Sequence, residues 1–220
     1  MKKYLSILLI MTPGFILAQE RTTNLWAGVG VTKGLGAGFS ANLNAQWRFT
    51  EDFTTLGSYI AEAGVGYKIN KHWRAELNYR YIGRRKYDKS EASYYYRPYH
   101  RFYGDISYDR KIFSLLKLDY RIRYQNQFKD DDGSIENDKS YVRNKLEVSY
   151  PNKSRFTPFV SADLFYQIKG EFDEIRYRAG VDVKLTKKHS ITAGAFTSQE
   201  LGTVMPVKDL TLLVGYKFKF

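Results

Sequence analysis

The chain has 220 residues, no cysteine and a formal net charge of +12, of which Lys2 and Lys3 supply two. Without cysteine there is neither a disulfide framework nor a lipid-attachment box, so stability must come from packing, backbone pairing or lipid. No Ser/Gly-rich or Pro-rich linker divides the chain, which reads as one body. The basic charge is spread along the sequence and interleaved with acids, which argues against a nucleic-acid partner, since that would need the charge gathered on one stripe.

Met1-Lys2-Lys3 and the apolar run from Tyr4 to Ala18 have the charged start, greasy middle and small-residue end of a secretory leader. The run is shorter than the roughly 20 residues that span a bilayer and is broken by Pro13 and Gly14, so an anchoring helix is the weaker reading. Residues 1–18 are expected to be a signal peptide and residues 19–220 a single barrel, exported to the bacterial outer membrane.

The barrel reading comes from periodicity. Between Leu35 and Phe49 the residues Leu35, Ala37, Phe39, Ala41, Leu43, Ala45, Trp47 and Phe49 are apolar, and those between them are small or polar. A period of two gives a strand with two chemically different faces, whereas a helix would scatter these residues around its circumference. The alternation returns at Trp73 to Tyr81, Leu116 to Gln127, Phe156 to Ile168, Ile175 to Leu185 and Leu210 to Phe220. Less regular versions lie at Tyr59 to Ile69, Phe102 to Tyr108, Val142 to Tyr150 and Ile191 to Thr197. Soluble strands usually have about 5 to 6 residues, and a tilted membrane strand needs about 9 to 11. These segments favour the membrane.

Short connections at Asn70 to His72, Arg110 to Ser114, Pro151 to Arg155 and Lys187 to Ser190 alternate with longer polar ones. The longer ones lie at Lys86 to Tyr96, Lys129 to Lys139, Lys169 to Glu174 and Gln199 to Lys208. Short turns on the periplasmic side and long loops outside are the habit of outer-membrane barrels. The expected fold is therefore an all-β, antiparallel, up-and-down transmembrane barrel of about ten strands, with twelve as the alternative, because bacterial single-chain barrels have even numbers. Leu25 to Lys33 looks like an additional strand that this count does not absorb.

Aromatic residues sit at segment ends and Ala, Leu and Val in the middles, as when Trp73 and Tyr81 bracket Ala75 and Leu77. Such girdles orient the apolar face toward lipid. The other face then lines the lumen. It carries Arg84, Arg101, Lys117, Lys145, Lys184 and Lys217 and, as a candidate anion path, Arg48, Arg74, Arg80, Arg121, Arg123, Arg143, Arg176 and Arg178. The acids Glu62, Glu76, Asp105, Asp119, Glu147, Asp163 and Asp182 are their candidate partners. A network of paired charges filling a narrow lumen is the simplest expectation, since a barrel of about eight strands holds only its own side chains. A basic passage or pocket for an anion is the sharper one.

The run Leu25 to Val31, the stretch Gly64 to Trp73 followed by Tyr79-Arg80-Tyr81, and the terminal Val214 to Phe220 resemble the outer-membrane family catalogued as domain of unknown function 2490, common in Bacteroidota. The resemblance covers most of the mature chain and implies a barrel without an assigned activity. The ending Tyr216-Lys217-Phe218-Lys219-Phe220 also resembles the C-terminal signal read by the barrel-assembly machinery.

Catalytic signals are weak. His72 and His189 fall in short turns, and His100 stands near Arg97, Tyr99 and Arg101 with no serine at a suggestive spacing. Asp130-Asp131-Asp132-Gly133 with Glu136 and Asp138 does not match the ligand series of a calcium loop. No catalytic residue, metal or cofactor is expected. Tyr94, Tyr95, Tyr96 and Tyr99 could contact a partner from an outer loop with little entropy loss. The partners expected are outer-membrane lipid and lipopolysaccharide, and the assembly machinery through Phe220. The leading reading is a non-enzymatic barrel, structural or narrowly porin-like with a basic lumen. A rim hydrolase or acyltransferase using His100, and a soluble lipocalin-like binder with the apolar face inside, are the alternatives.

Overall fold

The computed structural model describes residues 22–112, 115–131, 133–168, 170–202 and 209–220. The expected leader, Asp132, Lys169 and residues 203–208 of the last long loop lie outside them. Eleven strands close into one barrel: β1 (Thr23–Gly36), β2 (Phe39–Thr50), β3 (Thr55–Lys68), β4 (Trp73–Asp88), β5 (Ser93–Ile112), β6 (Leu116–Asp131), β7 (Ser134–Ser149), β8 (Phe156–Gln167), β9 (Phe172–Lys184), β10 (His189–Glu200) and β11 (Leu210–Lys219). Sequential strands pair antiparallel, and β1 meets β11 in a parallel seam running from Thr23 opposite Leu210 to Thr32 opposite Lys219. Closure leaves no sheet edge, which lets the strands' backbone groups be satisfied within the wall.

The expected even count is corrected to eleven. Leu25 to Lys33 belongs to β1, a full wall strand, and the break between β1 and β2 falls inside the apparently continuous Leu35 to Phe49 alternation. Gly36, Ala37 and Gly38 there have φ of 89°, 49° and 85°. Three successive left-handed residues reverse the chain while the period-two pattern runs on through the turn, so hydrophobicity alone did not show the break. An odd count also puts the first and last described residues at opposite ends. Thr22 lies at the end of the barrel with the β2–β3, β4–β5 and β6–β7 connections, and Phe220 at the opposite end, where its backbone N–H bonds the carbonyl of Thr32 at 3.0 Å.

Two of the expected long loops are instead continuations of strands. Tyr87 pairs with Tyr94 and Asp88 with Ser93, so the β4–β5 connection is a hairpin with only residues 89–92 in its turn. Asp131 pairs with Ser134 across the β6–β7 turn, where Gly133 has φ of 87° and its N–H is accepted by Asp130 Oδ1 at 2.9 Å. The sequence is polar there because both faces of these extensions stand clear of the apolar band.

The barrel is inverted relative to a soluble protein. Leu77 is 68% exposed while its neighbour Asn78 is 7% exposed, and the same contrast recurs at Ile122 and Arg123. The exterior carries Leu43, Val65, Leu77, Ile106, Val160 and Val214, all exposed. Aromatic pairs bound this band at the turn end, Phe39 with Tyr67 at 4.6 Å and Trp73 with Tyr108 at 5.0 Å, and at the loop end, Tyr59 with Tyr81 at 6.2 Å and Tyr166 with Phe172 at 5.3 Å. This contradicts the lipocalin-like alternative, because the apolar side chains face out and the charged ones face in.

Candidate functional site

The lumen is built by the strands' inward positions, and register decides which of them meet. Asp105 on β5 stands opposite Arg123 on β6, which stands opposite Arg143 on β7; Lys145 on β7 stands opposite Asp163 on β8. Two arginines directly opposite one another repel. Here two aspartates offset them. Arg123 Nε and Nη2 donate to the two carboxylate oxygens of Asp105 at 2.6 Å each. Arg143 Nε donates to Asp163 Oδ1 at 3.4 Å, its Nη2 donates to Oδ2, and its Nη1 donates to Gln125 Oε1 at 3.3 Å. Arg121 lies between the two acids, 4.0 Å from Asp105 and 3.6 Å from Asp163. Aromatic faces back the guanidiniums, with Arg123 3.7 Å from the Tyr103 centroid and Arg143 4.0 Å from that of Phe165. Arg80 completes this belt, its Nε donating to Glu62 at 2.6 Å.

Toward the turn end acids and bases are interleaved. Asp109, Asp119 and Glu147 stand in one cross-strand row, offset by Lys117 at 3.1 Å from Asp109 and Lys145 at 2.6 Å from Glu147. Arg74 lies 3.8 Å from Glu76, and Asp182 accepts the hydroxyl of Thr192. At the loop end Arg176 donates to Glu174 at 2.7 Å and to Ser198 at 3.0 Å. Arg48 lies 3.6 Å over the Trp26 ring, with its Nε on Gln46 at 2.9 Å. Arg178, midway along β9 and opposite Ser161, approaches the Phe196 ring at 5.6 Å. Among the described residues, Arg48 and Arg178 have no carboxylate within 4.0 Å. The expected lumen residues thus form a paired belt, a turn end of mixed charge and a loop end where several arginines lack carboxylate partners, rather than one uniform path.

Part of the wall is bare. Gly28 and Gly215 are register partners across the β1–β11 seam, and a Cβ on Gly215 would meet nothing within 4 Å. A Cβ on Gly28 would meet the Ala45 carbonyl oxygen at 3.2 Å, so the room is on the β11 side of the seam.

The tyrosine cluster divides. Tyr94 and Tyr96 are exposed on the outward side of the β4–β5 hairpin, in register with Tyr87 and Arg85. Tyr95, of opposite parity, accepts a hydrogen bond on its hydroxyl from Arg97 Nη2 at 2.6 Å. Tyr99 is a correction: expected at an outer loop, it is only 4% exposed and packs with Ile60 and Ile82 inside the barrel. It lies on a strand continuing past the hairpin, where each even step along the chain returns a side chain to the lumen. The same parity brings in Arg97, which the loop assignment had hidden from the lumen set. His100 faces outward, its Nδ1 2.7 Å from the Tyr79 hydroxyl and its ring 5.7 Å from that of Tyr81, within the loop-end aromatic girdle.

The family described as "Protein of unknown function (DUF2490)" matches residues 23–200. Among solved structures, the β domain of the Bordetella autotransporter BrkA aligns with a TM-score of 0.54 and 11% identity, covering 85% of this chain and 86% of that one. An anion-selective porin from Comamonas acidovorans aligns with a TM-score of 0.39 and 15% identity, covering 84% of this chain and 53% of that one. No curated protein gives a significant match to the chain. At these identities the likeness concerns the fold.

Proposed function

This chain belongs to the DUF2490 family, and from that premise we propose that it is a non-enzymatic outer-membrane barrel whose narrow lumen admits small anions from the loop end. Its apolar band suits hydrocarbon, and its aromatic girdles suit the two headgroup layers. Lipid and lipopolysaccharide then surround the wall, and the strand ending at Phe220 serves as the signal to the assembly machinery. One observation carries the anion reading: Arg48, toward the loop end of β2, and Arg178, midway along β9, have no carboxylate within 4.0 Å among the described residues. The belt of Arg80, Arg123 and Arg143 with their paired carboxylates fills the lumen beyond, so flux is small and entry occurs from the loop side. His100 serves the girdle, where its bond to Tyr79 replaces one to headgroup water.

Conductance in planar bilayers tests this reading. Small, anion-selective current that falls when Arg48 and Arg178 are both replaced by glutamine is expected. Cation-selective current, or a purified protein that stays monomeric and soluble without detergent, would overturn it.

A further inference from the structure

The loop-end arginines are arranged by register into a feature that no internal partner completes. Arg48 on β2 stands opposite Ser58 on β3, Ser58 opposite Arg84 on β4, and Arg84 opposite Arg97 on β5. One row, stepping about 4.8 Å per strand, therefore carries three arginines separated only by a buried serine. Two inward rows further along, past Ile82 opposite Tyr99, Arg80 stands opposite Arg101. Like charges directly opposite destabilise a sheet, and the Arg123 and Arg143 pair shows how this barrel solves that problem internally, with an aspartate for each.

The loop-end row has no such solution. Its one carboxylate is Asp131, 3.3 Å from Arg97 Nη2, and the Nε of Arg97 is buried without a hydrogen-bond partner. Among the described residues no carboxylate lies within 4.0 Å of Arg48, Arg84 or Arg101. Arg101 donates through its Nε to Gln127 Oε1 at 3.0 Å, a neutral acceptor. What holds the guanidiniums is aromatic: Arg48 at 3.6 Å from the Trp26 ring and Arg84 at 4.5 Å from the Tyr99 ring. A guanidinium lying on a ring keeps its in-plane N–H groups available in the fork geometry that binds oxyanions; Arg48 gives its Nε to Gln46 and Arg97 one Nη to Tyr95, which leaves the remaining Nη groups for a ligand. The scaffold beneath is rigid, because Tyr99 is packed against Ile60 and Ile82.

We infer that this row, with Arg101 two inward positions below Arg97, is a binding site for a polyvalent oxyanion, the phosphate group of a small soluble phosphorylated solute, held by Arg48, Arg84, Arg97 and Arg101. A single carboxylate would neutralise one arginine, whereas a phosphate monoester brings close to two charges and three acceptor oxygens to a row that lacks both. The inference rests on the reading of the lumen as open to anions from the loop end, and names the ligand that this reading leaves unspecified.

The test is calorimetric titration of the full chain in detergent at low salt with inorganic phosphate and glucose 6-phosphate, and with chloride for comparison. Saturable binding of both phosphates, absent for chloride, is expected. Arg84→Gln and Arg48→Gln each lower affinity by about tenfold or more, as loss of a charge-assisted hydrogen bond implies. Arg84→Lys, which keeps the charge and loses the fork, recovers only part of it, and Lys187→Gln in a distant turn leaves the affinity unchanged. Heat-dependent gel migration confirms that each variant is folded, and Arg101→Gln replaces any that is not. Phosphate binding no tighter than chloride, binding indifferent to all of these arginines, or binding only to lipopolysaccharide phosphates would overturn the site. Anion-selective current with no phosphate binding would remove the site and leave the passage standing; phosphate binding without current would do the reverse.

Discussion

Arg123 grips Asp105 with two parallel hydrogen bonds of 2.6 Å directly across the β5–β6 pairing, and both residues are less than a tenth exposed. This pair, with Arg143 and Asp163 beside it, keeps two directly opposed arginines together in the middle of the wall.

Removing one member therefore leaves a buried charge uncompensated. Asp105→Asn is expected to destabilise the barrel by about 3 to 5 kcal/mol, the usual effect of breaking a buried ion pair from one side. Replacing both members by apolar residues, Asp105→Leu with Arg123→Met, should recover much of that loss. Urea unfolding in detergent micelles measures both. A single variant as stable as the parent would mean that the belt is not what holds the lumen.

The two faces of one strand should respond oppositely to charge. Leu77→Arg, in the middle of the exterior band, is expected to cost about 2 to 4 kcal/mol in lipid vesicles, and Asn78→Ser, one residue along and facing the lumen, much less. Equal effects at the two positions would contradict the outward orientation of the apolar face.

Chain polarity offers a direct measurement because the parent has no cysteine. Single cysteines at Thr22 and Glu91, at the loop end, are expected to react with a membrane-impermeant thiol reagent added to intact cells. One at Asn70, in a short turn at the opposite end, should react only after the outer membrane is opened. Thr22→Cys labelling together with Asn70→Cys would show an even strand number and remove the parallel β1–β11 seam.

Glycines in the wall make a finer test of packing. A Cβ on Gly194 would lie 2.5 Å from the Ala179 carbonyl oxygen and 3.0 Å from Gly180 Cα, backbone atoms of the neighbouring strand that cannot turn aside. Gly194→Val should therefore cost about 1 to 3 kcal/mol, the usual effect of overpacking. The same substitution at Gly215, where nothing lies within 4 Å, should cost little. Thermal unfolding of the two variants in the same detergent separates the cases.

Much of this molecule was legible before any coordinates. Alternation at Trp73 to Tyr81 or Leu210 to Phe220 is a local property, because successive side chains of any strand point to opposite sides. The sequence by itself therefore determined the strands, their two faces, and the aromatic ends that set which face suits lipid. It also named Arg48, Arg80, Arg123 and Arg143 as inward residues, since parity along one strand is enough to place them. It did not determine the turn at Gly36 to Gly38, because the apolar period continued through it, nor the inward place of Tyr99 and Arg97, because a polar hairpin extension looks like a loop. Only the tertiary structure decided that β1 closes on β11, joining residues nearly the whole chain apart. Only it decided that Arg123 and Arg143 meet two aspartates while Arg48, Arg84 and Arg97 share a row with one. The physical reason is register: which inward residues meet depends on how each strand slides against the next, and a shift of a single residue would turn every one of these side chains to the other face.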